Sequence, residues 1–174
     1  SGERVNRTAY ATSSDGLNWE KPDLGQYEFD GNKDNNILYT GDYGIHNINV
    51  VRDDHDANPF RRYKMSFFMM APEHGYGTYP MGINVGYSAD GIRWKLACPP
   101  DDPAFRAWHD VVPNKVSSGD THTLLGWVPE RQHYVMMNRS ISTVPYMYRT
   151  ICYSESQDFV NWSTPVTVLS PDEQ

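Results

Sequence analysis

The chain has 174 residues, with 15 Lys and Arg against 22 Asp and Glu, a net charge of −7 and a pI near 5.2. An acidic chain without a basic face excludes a nucleic-acid footprint, and no run approaches the ~18 apolar residues of a membrane-spanning helix, so neither nucleic acid nor membrane is expected as a partner. Twelve Tyr and five Trp on a chain of mean hydropathy −0.67 fit many short strands joined by solvated loops, and the length suits a single domain over residues 1–174.

In chain order, Val5 to Trp19 reads as a hairpin. Thr8–Thr12 is strand-like, Ser13-Ser14-Asp15-Gly16 supplies a turn, and Glu20-Lys21-Pro22 ends the return. Asp-Gly is a strong turn signal because Gly accepts positive φ and Asp bonds its own backbone. The same spacing, Ser-x-Asp-x-x-x-Trp, returns at Ser88–Trp94 and Ser156–Trp162. Three copies of one turn at long intervals indicate a repeat architecture. Their Ser and Asp are expected to tie the turn, and their Trp to fill space between repeats.

Residues 26–45 are a connection rich in Asp, Asn and Gly, with Asn35–Tyr39 a short strand on the way. His46–Asp53 alternates as a strand, 54–59 is a turn, Arg62–Met69 returns, and the loop 71–80 leads to Ile83–Tyr87 and the second motif. The pattern then runs again through Asp120–Trp127, the turn 129–132, His133–Arg139, the third motif and Val166–Leu169. Residues 103–109 could form a helical turn. The reading is all-β: a β-propeller of four-stranded antiparallel blades, with about two and a half blades in this chain. Residues 1–25 form the outer hairpin of a first blade, 46–98 the second blade and 119–170 the third.

These residues carry a resemblance. Ala11-Thr12-Ser13-x-Asp15-Gly16-x-x-Trp19, Lys33-Asp34-Asn35-Asn36-Ile37, His46-Asn47 leading to Arg62-Tyr63-Lys64-Met65, Gly119-Asp120-Thr121-His122 and Tyr153–Trp162 together resemble the five-bladed propeller glycoside hydrolases, nearest to relatives of glycoside hydrolase families 32 and 43. The resemblance covers nearly the whole chain. It implies hydrolysis of a polysaccharide or oligosaccharide by paired carboxyl groups, one ionised and one protonated, projecting from the starts of the innermost strands.

Only two innermost strands are expected here. Asp120, opening one of them, is the catalytic candidate, with His122 one pleat further along the same face. His46 and Asn47 hold the corresponding place one blade earlier and suit binding of substrate hydroxyls, as does Arg139 at the end of the second strand of the last blade. No general acid is identifiable, so the chain is expected to be incomplete as a catalyst alone, either a fragment or a subunit closing the ring as a homo-oligomer. The alternative is a non-catalytic carbohydrate-binding propeller, with Tyr43, Trp108 or Tyr146 stacking on sugar faces. A protein-interaction propeller ranks third.

No cofactor and no metal is expected. Asp54-x-Asp56-x-Asn58 opens like a calcium loop, but Pro59 stands where the turn Gly belongs and Met65 where the bidentate Glu belongs, which leaves a hairpin turn. Cys98 and Cys152 do not make a disulfide framework. Localisation stays open, with secretion or a periplasm as the expectation.

Overall fold

The computed structural model describes residues 7–40, 45–69, 82–96, 121–141 and 149–170. These residues are all-β, arranged in small antiparallel sheets, with one short 3-10 turn at Pro59–Arg61. The chain divides into two compact units, Ser1–His46 and Asn47–Gln174. The expected helical turn at 103–109 lies outside the described residues.

In the first unit, β1 (Arg7–Ala9) pairs antiparallel with β2 (Ile37–Thr40), and Ile37 and Leu38 are buried. The sequence points instead to pairing of the first strand with the arm returning through Trp19. That return is a single bridge, Thr12 with Glu20. Pro22 has no N–H to carry a ladder further, and the Asn36 amide donates to the Tyr10 carbonyl at 2.6 Å, which favours β2 as the neighbour.

The second unit holds two four-stranded meanders. The first sheet runs β3 (Ile45–Arg52), β4 (Tyr63–Met69), β5 (Gly82–Ser88) and β6 (Lys95–Leu96). The second runs β7 (His122–Val128), β8 (His133–Ile141), β9 (Arg149–Ser156) and β10 (Val166–Leu169). In each, strands consecutive in sequence are neighbours, the outcome expected of hairpin-connected antiparallel strands. Gly86 permits β6 to approach β5, because a Cβ there would lie 2.8 Å from the Lys95 carbonyl oxygen.

Side chains alternate across a pleated strand, and this sorts each sheet into two faces. Phe68, Ile83 and Val85 of the first sheet pack on Leu124, Tyr134 and Met136 of the second, with Phe159 closing the cluster. The reverse face of the first sheet, carrying Met65, Phe67, Asn84 and Ser88, is buried as well.

The three motif turns share the Ser-to-Asp, amide-to-Asp and Trp-to-carbonyl hydrogen bonds. In the first, Ser13 Oγ donates to Asp15 Oδ1 and accepts from Gly16 N, while Asp15 Oδ1 accepts from Leu17 N and Asn18 N, each at 2.8 Å. The Trp19 indole donates back to Gly16 O at 3.2 Å. Asp90 and Asp158 accept from the corresponding amides of their own turns, and Trp94 and Trp162 donate to Gly91 O and Phe159 O. The Trp thus folds over its own turn just before the return arm rather than sitting on it. Trp162 packs against the core, whereas Trp19 is 60% exposed. Gly16 and Gly91 have φ near +76°, and Phe159 takes the same conformation at +69°. A bulky residue there is strained by about 1–3 kcal/mol, offset by its complete burial against Tyr134 and Trp162.

Candidate functional site

The contact between the two sheets has two polar ends around an apolar middle. One end is ionic. Lys64 is fully buried, and its Nζ lies 2.8 Å from Asp53 Oδ2, 2.8 Å from Asp56 Oδ2 and 2.7 Å from Arg61 O. Tyr134 donates to Asp53 Oδ2 at 2.7 Å across the sheets. Burial pushes the Asp53 carboxyl up, but hydrogen bonds from Lys64 and Tyr134 outweigh it and hold the group below its ordinary value. Burial and the adjacent carboxylate raise the Tyr134 phenol. A buried ion set whose lone pairs are filled by its own neighbours is structural in character.

The other end is neutral. Asn47 and Asn49 recur at period two on β3 and share a face, and His122 opens β7 opposite them. Asn47 has φ +54°, a conformation that Asn tolerates better than most residues. Its Nδ2 reaches His122 Nδ1 at 3.1 Å and the His122 carbonyl at 3.2 Å; Asn49 Nδ2 donates to the same carbonyl at 3.2 Å. An amide that faces a carbonyl must present its NH2, so His122 Nδ1 accepts and Nε2 carries the proton, donated to Ser66 Oγ at 2.9 Å. His122 is buried, neutral and fixed in one tautomer, with both ring nitrogens held by protein groups.

Three amide side chains stand at this end. Asn138 is the cross-strand partner of His122 and is buried, and its Oδ1 has no hydrogen-bond partner. The NH2 groups of half-buried Asn47 and Asn49 carry the hydrogen bonds of those side chains. At this end β3, β5, β7 and β9 begin and β4 and β8 finish.

The sequence candidates fall out unevenly. Asn47 and His122 are brought together. Arg139 sits on the alternate side of β8 from Asn138, the His122 partner, so the pleat separates it from this cluster. His46 lies on β3, next to Asn47. Asp120, Tyr43, Trp108 and Tyr146 lie outside the described residues. Asn49, Ser66 and Asn138 were not singled out from sequence. The available signal was the period-two pair Asn47 and Asn49.

Among the described residues no cluster of His, Cys, Asp and Glu could hold a metal ion, and no helix is long and apolar enough to cross a membrane. In the calcium-like stretch, Asp54 pairs with Arg52 at 2.9 Å, Asp56 with Lys64, and Asn58 Oδ1 accepts from Phe60 N at the start of the 3-10 turn. Those oxygens serve the hairpin. Cys152 is a buried free thiol.

No family model and no curated protein matches the chain. Among solved structures, it is similar to an N-acetylgalactosamine deacetylase from F. plautii, crystallised in complex with blood group B trisaccharide, with 14% identity and a TM-score of 0.53. The match covers 97% of this chain and 43% of that one, so the chain spans less than half the length of the protein it resembles. At this identity the likeness is one of fold.

Proposed function

We propose that this chain contributes blades to a β-propeller that binds carbohydrate at the Asn47–His122 end of its sheets. The observation that carries the reading is the set of neutral amide side chains of Asn47, Asn49 and Asn138 beside a tautomerically fixed imidazole, with the Asn138 Oδ1 left without a hydrogen-bond partner. Sugar hydroxyls are neutral donors, and a site of preoriented amide acceptors matches them without a buried charge. His122 then acts as a positioning residue: it holds the Asn47 and Ser66 side chains while Asn47 and Asn49 meet the ligand. The deacetylase's complex with a trisaccharide supports a carbohydrate ligand.

The finer reading is glycoside hydrolysis, with Asp120 as the carboxyl contributed by this chain. It rests on the resemblance of the motif order to propeller glycoside hydrolases and on the place of Asp120 two residues before His122. Two carboxyl groups are needed, one ionised and one protonated, so the second must come from outside the blades described here.

Calorimetric titration of a panel of neutral oligosaccharides, beginning with blood group B trisaccharide, tests the binding reading. Binding that weakens at least about tenfold in Asn47→Ala, as loss of well-formed hydrogen bonds predicts, supports it; binding indifferent to both Asn47→Ala and Asn49→Ala removes it. Asp120→Asn separates the two levels. If a hydrolytic activity is present and survives that change, Asp120 is not catalytic.

A further inference from the structure

The motif turn is built three times, yet its Trp is put to different uses. Trp162 packs edge-on against Phe159 at 5.7 Å and joins the core of the second unit, and Trp94 is half-buried. Trp19, in the first unit, stays open to solvent. Closing the turn does not require an open indole, since the other two copies close with theirs covered in whole or in part.

Around Trp19 lies a cleft. Thr12, Ser13, Ser14, Asn18, Trp19 and Glu20 line an open cavity of about 410 Å³, within the range of small-ligand sites, roughly 300–1,000 Å³. Its walls are fixed before anything binds. The backbones of Thr12 and Glu20 exchange two hydrogen bonds, at 2.9 and 2.8 Å. The Trp19 indole is tied to Gly16 O, and Asn18 is tied to Asp15 through both its backbone N and its Nδ2. A cleft ordered in advance loses little conformational freedom when it takes up a ligand.

The two carboxylates of this hairpin differ in availability. Asp15 is consumed by its own turn, accepting from Ser13, Leu17 and Asn18. Glu20 lines the cleft beside the indole, and among the described residues no Lys or Arg pairs with it. An aromatic face next to an acceptor pair and a rim of hydroxyls selects among ligands. A pyranose has a face of C–H groups that stacks on an indole, and vicinal hydroxyls that donate to the two oxygens of one carboxylate. An ammonium group is best held by a cage of several rings, and this cleft has one. A wholly apolar ligand would strip water from Glu20 and the serines and return no hydrogen bond.

We infer that the Trp19 cleft is a second carbohydrate site, which stacks one pyranose unit of a neutral oligosaccharide on the indole and receives its hydroxyls at Glu20. The site belongs wholly to the first unit and draws nothing from the Asn47–His122 end, so either can fail without the other.

Proton–nitrogen NMR of the intact chain tests it, with blood group B trisaccharide, cellohexaose, xylohexaose, maltohexaose and laminarihexaose as probes. At least one probe is expected to shift the Trp19 indole signal and the Glu20 amide saturably, and to do so equally in Asn47→Ala. Trp19→Ala should weaken that binding about tenfold and Glu20→Gln severalfold, the sizes expected of one stacking face and one charge-assisted hydrogen bond. A Trp19 signal unmoved by every probe at about ten millimolar, well above a millimolar Kd, overturns the inference without recourse to any variant. Binding left unchanged by Trp19→Ala overturns it as well; if that binding is lost in Asn47→Ala, the Asn47–His122 site stands alone. Tetramethylammonium chloride that saturates the indole shift at lower concentration than every sugar also overturns it, by making the cleft a cation site.

Discussion

The two ends of the sheet contact bury comparable numbers of polar side chains and use them in opposite ways. At the ionic end Lys64, Asp53, Asp56 and Tyr134 satisfy one another with full charges, over short turns. At the neutral end the Asn47 and Asn49 amides and the His122 imidazole spend N–H groups on protein acceptors, while the buried Asn138 Oδ1 is left without a partner. A closed set of charges holds two sheets in register. A set with an unspent acceptor is suited to receiving something else. Burial alone does not distinguish them; the accounting of donors and acceptors does.

The sharpest way to break this comparison is Lys64→Met. It leaves two carboxylates without their cation, and removing one partner of a buried ion set costs about 3–5 kcal/mol. Urea unfolding reads this directly, and a loss below about 1 kcal/mol would mean that the ionic end is not a lock. Acid probes the same end. The Asp53 and Asp56 carboxyls are held below their ordinary values, Lys64 outweighing the upward push of burial in both. Their contribution is thus complete above the unfolded value of about 3.9 and is lost as pH falls through the folded values. Stability followed from pH 6 downward should be flat to near that value and then fall, and Asp53→Asn should lower the plateau and shallow the fall.

At the neutral end the expected effects are smaller. Asn47→Ala loses two hydrogen bonds and places a Cβ residue at φ +54°, whereas Asn47→Gly loses the bonds without the strain. The Gly variant should be the more stable of the two by about 1 kcal/mol, while both lose sugar affinity alike; denaturant midpoints and calorimetric titrations check the pair. Smallest of all is Asp15→Ala in the exposed first turn. Amide exchange at Leu17 and Asn18 should accelerate, with the melting temperature of the second unit unmoved.

Sequence made the turns legible because each is local: Ser13, Asp15 and Gly16 interact within three residues. The meander order followed from alternation between such turns. What escaped was contact at long range. Tyr134 meets Asp53 from 81 positions away, and Asn47 meets His122 from 75, distances at which no local pattern constrains pairing. Asn47 and His122 were nevertheless singled out, through the starts of their strands, but as separate ligand-binding residues; that the imidazole is spoken for by Asn47 and Ser66 emerges only from the geometry. The first hairpin narrows to a single bridge, Thr12 with Glu20, before Pro22, a missing donor that the sequence already displayed.

Phe159 has a wider consequence. In the first motif the positive-φ position is Gly, and the turn can form by itself with no help from elsewhere. In the third, the backbone is held in an unfavourable shape by a side chain whose reward lies in the core, against Tyr134 and Trp162. That turn cannot open without withdrawing its anchor from between the sheets, nor can the sheets part without freeing the turn. The cooperative unit of unfolding therefore extends from a surface loop through to the interior. In native-state hydrogen exchange the amides of Val160 and Asn161 should open with the whole unit, while those of Leu17 and Asn18, in the same turn by sequence, should open alone.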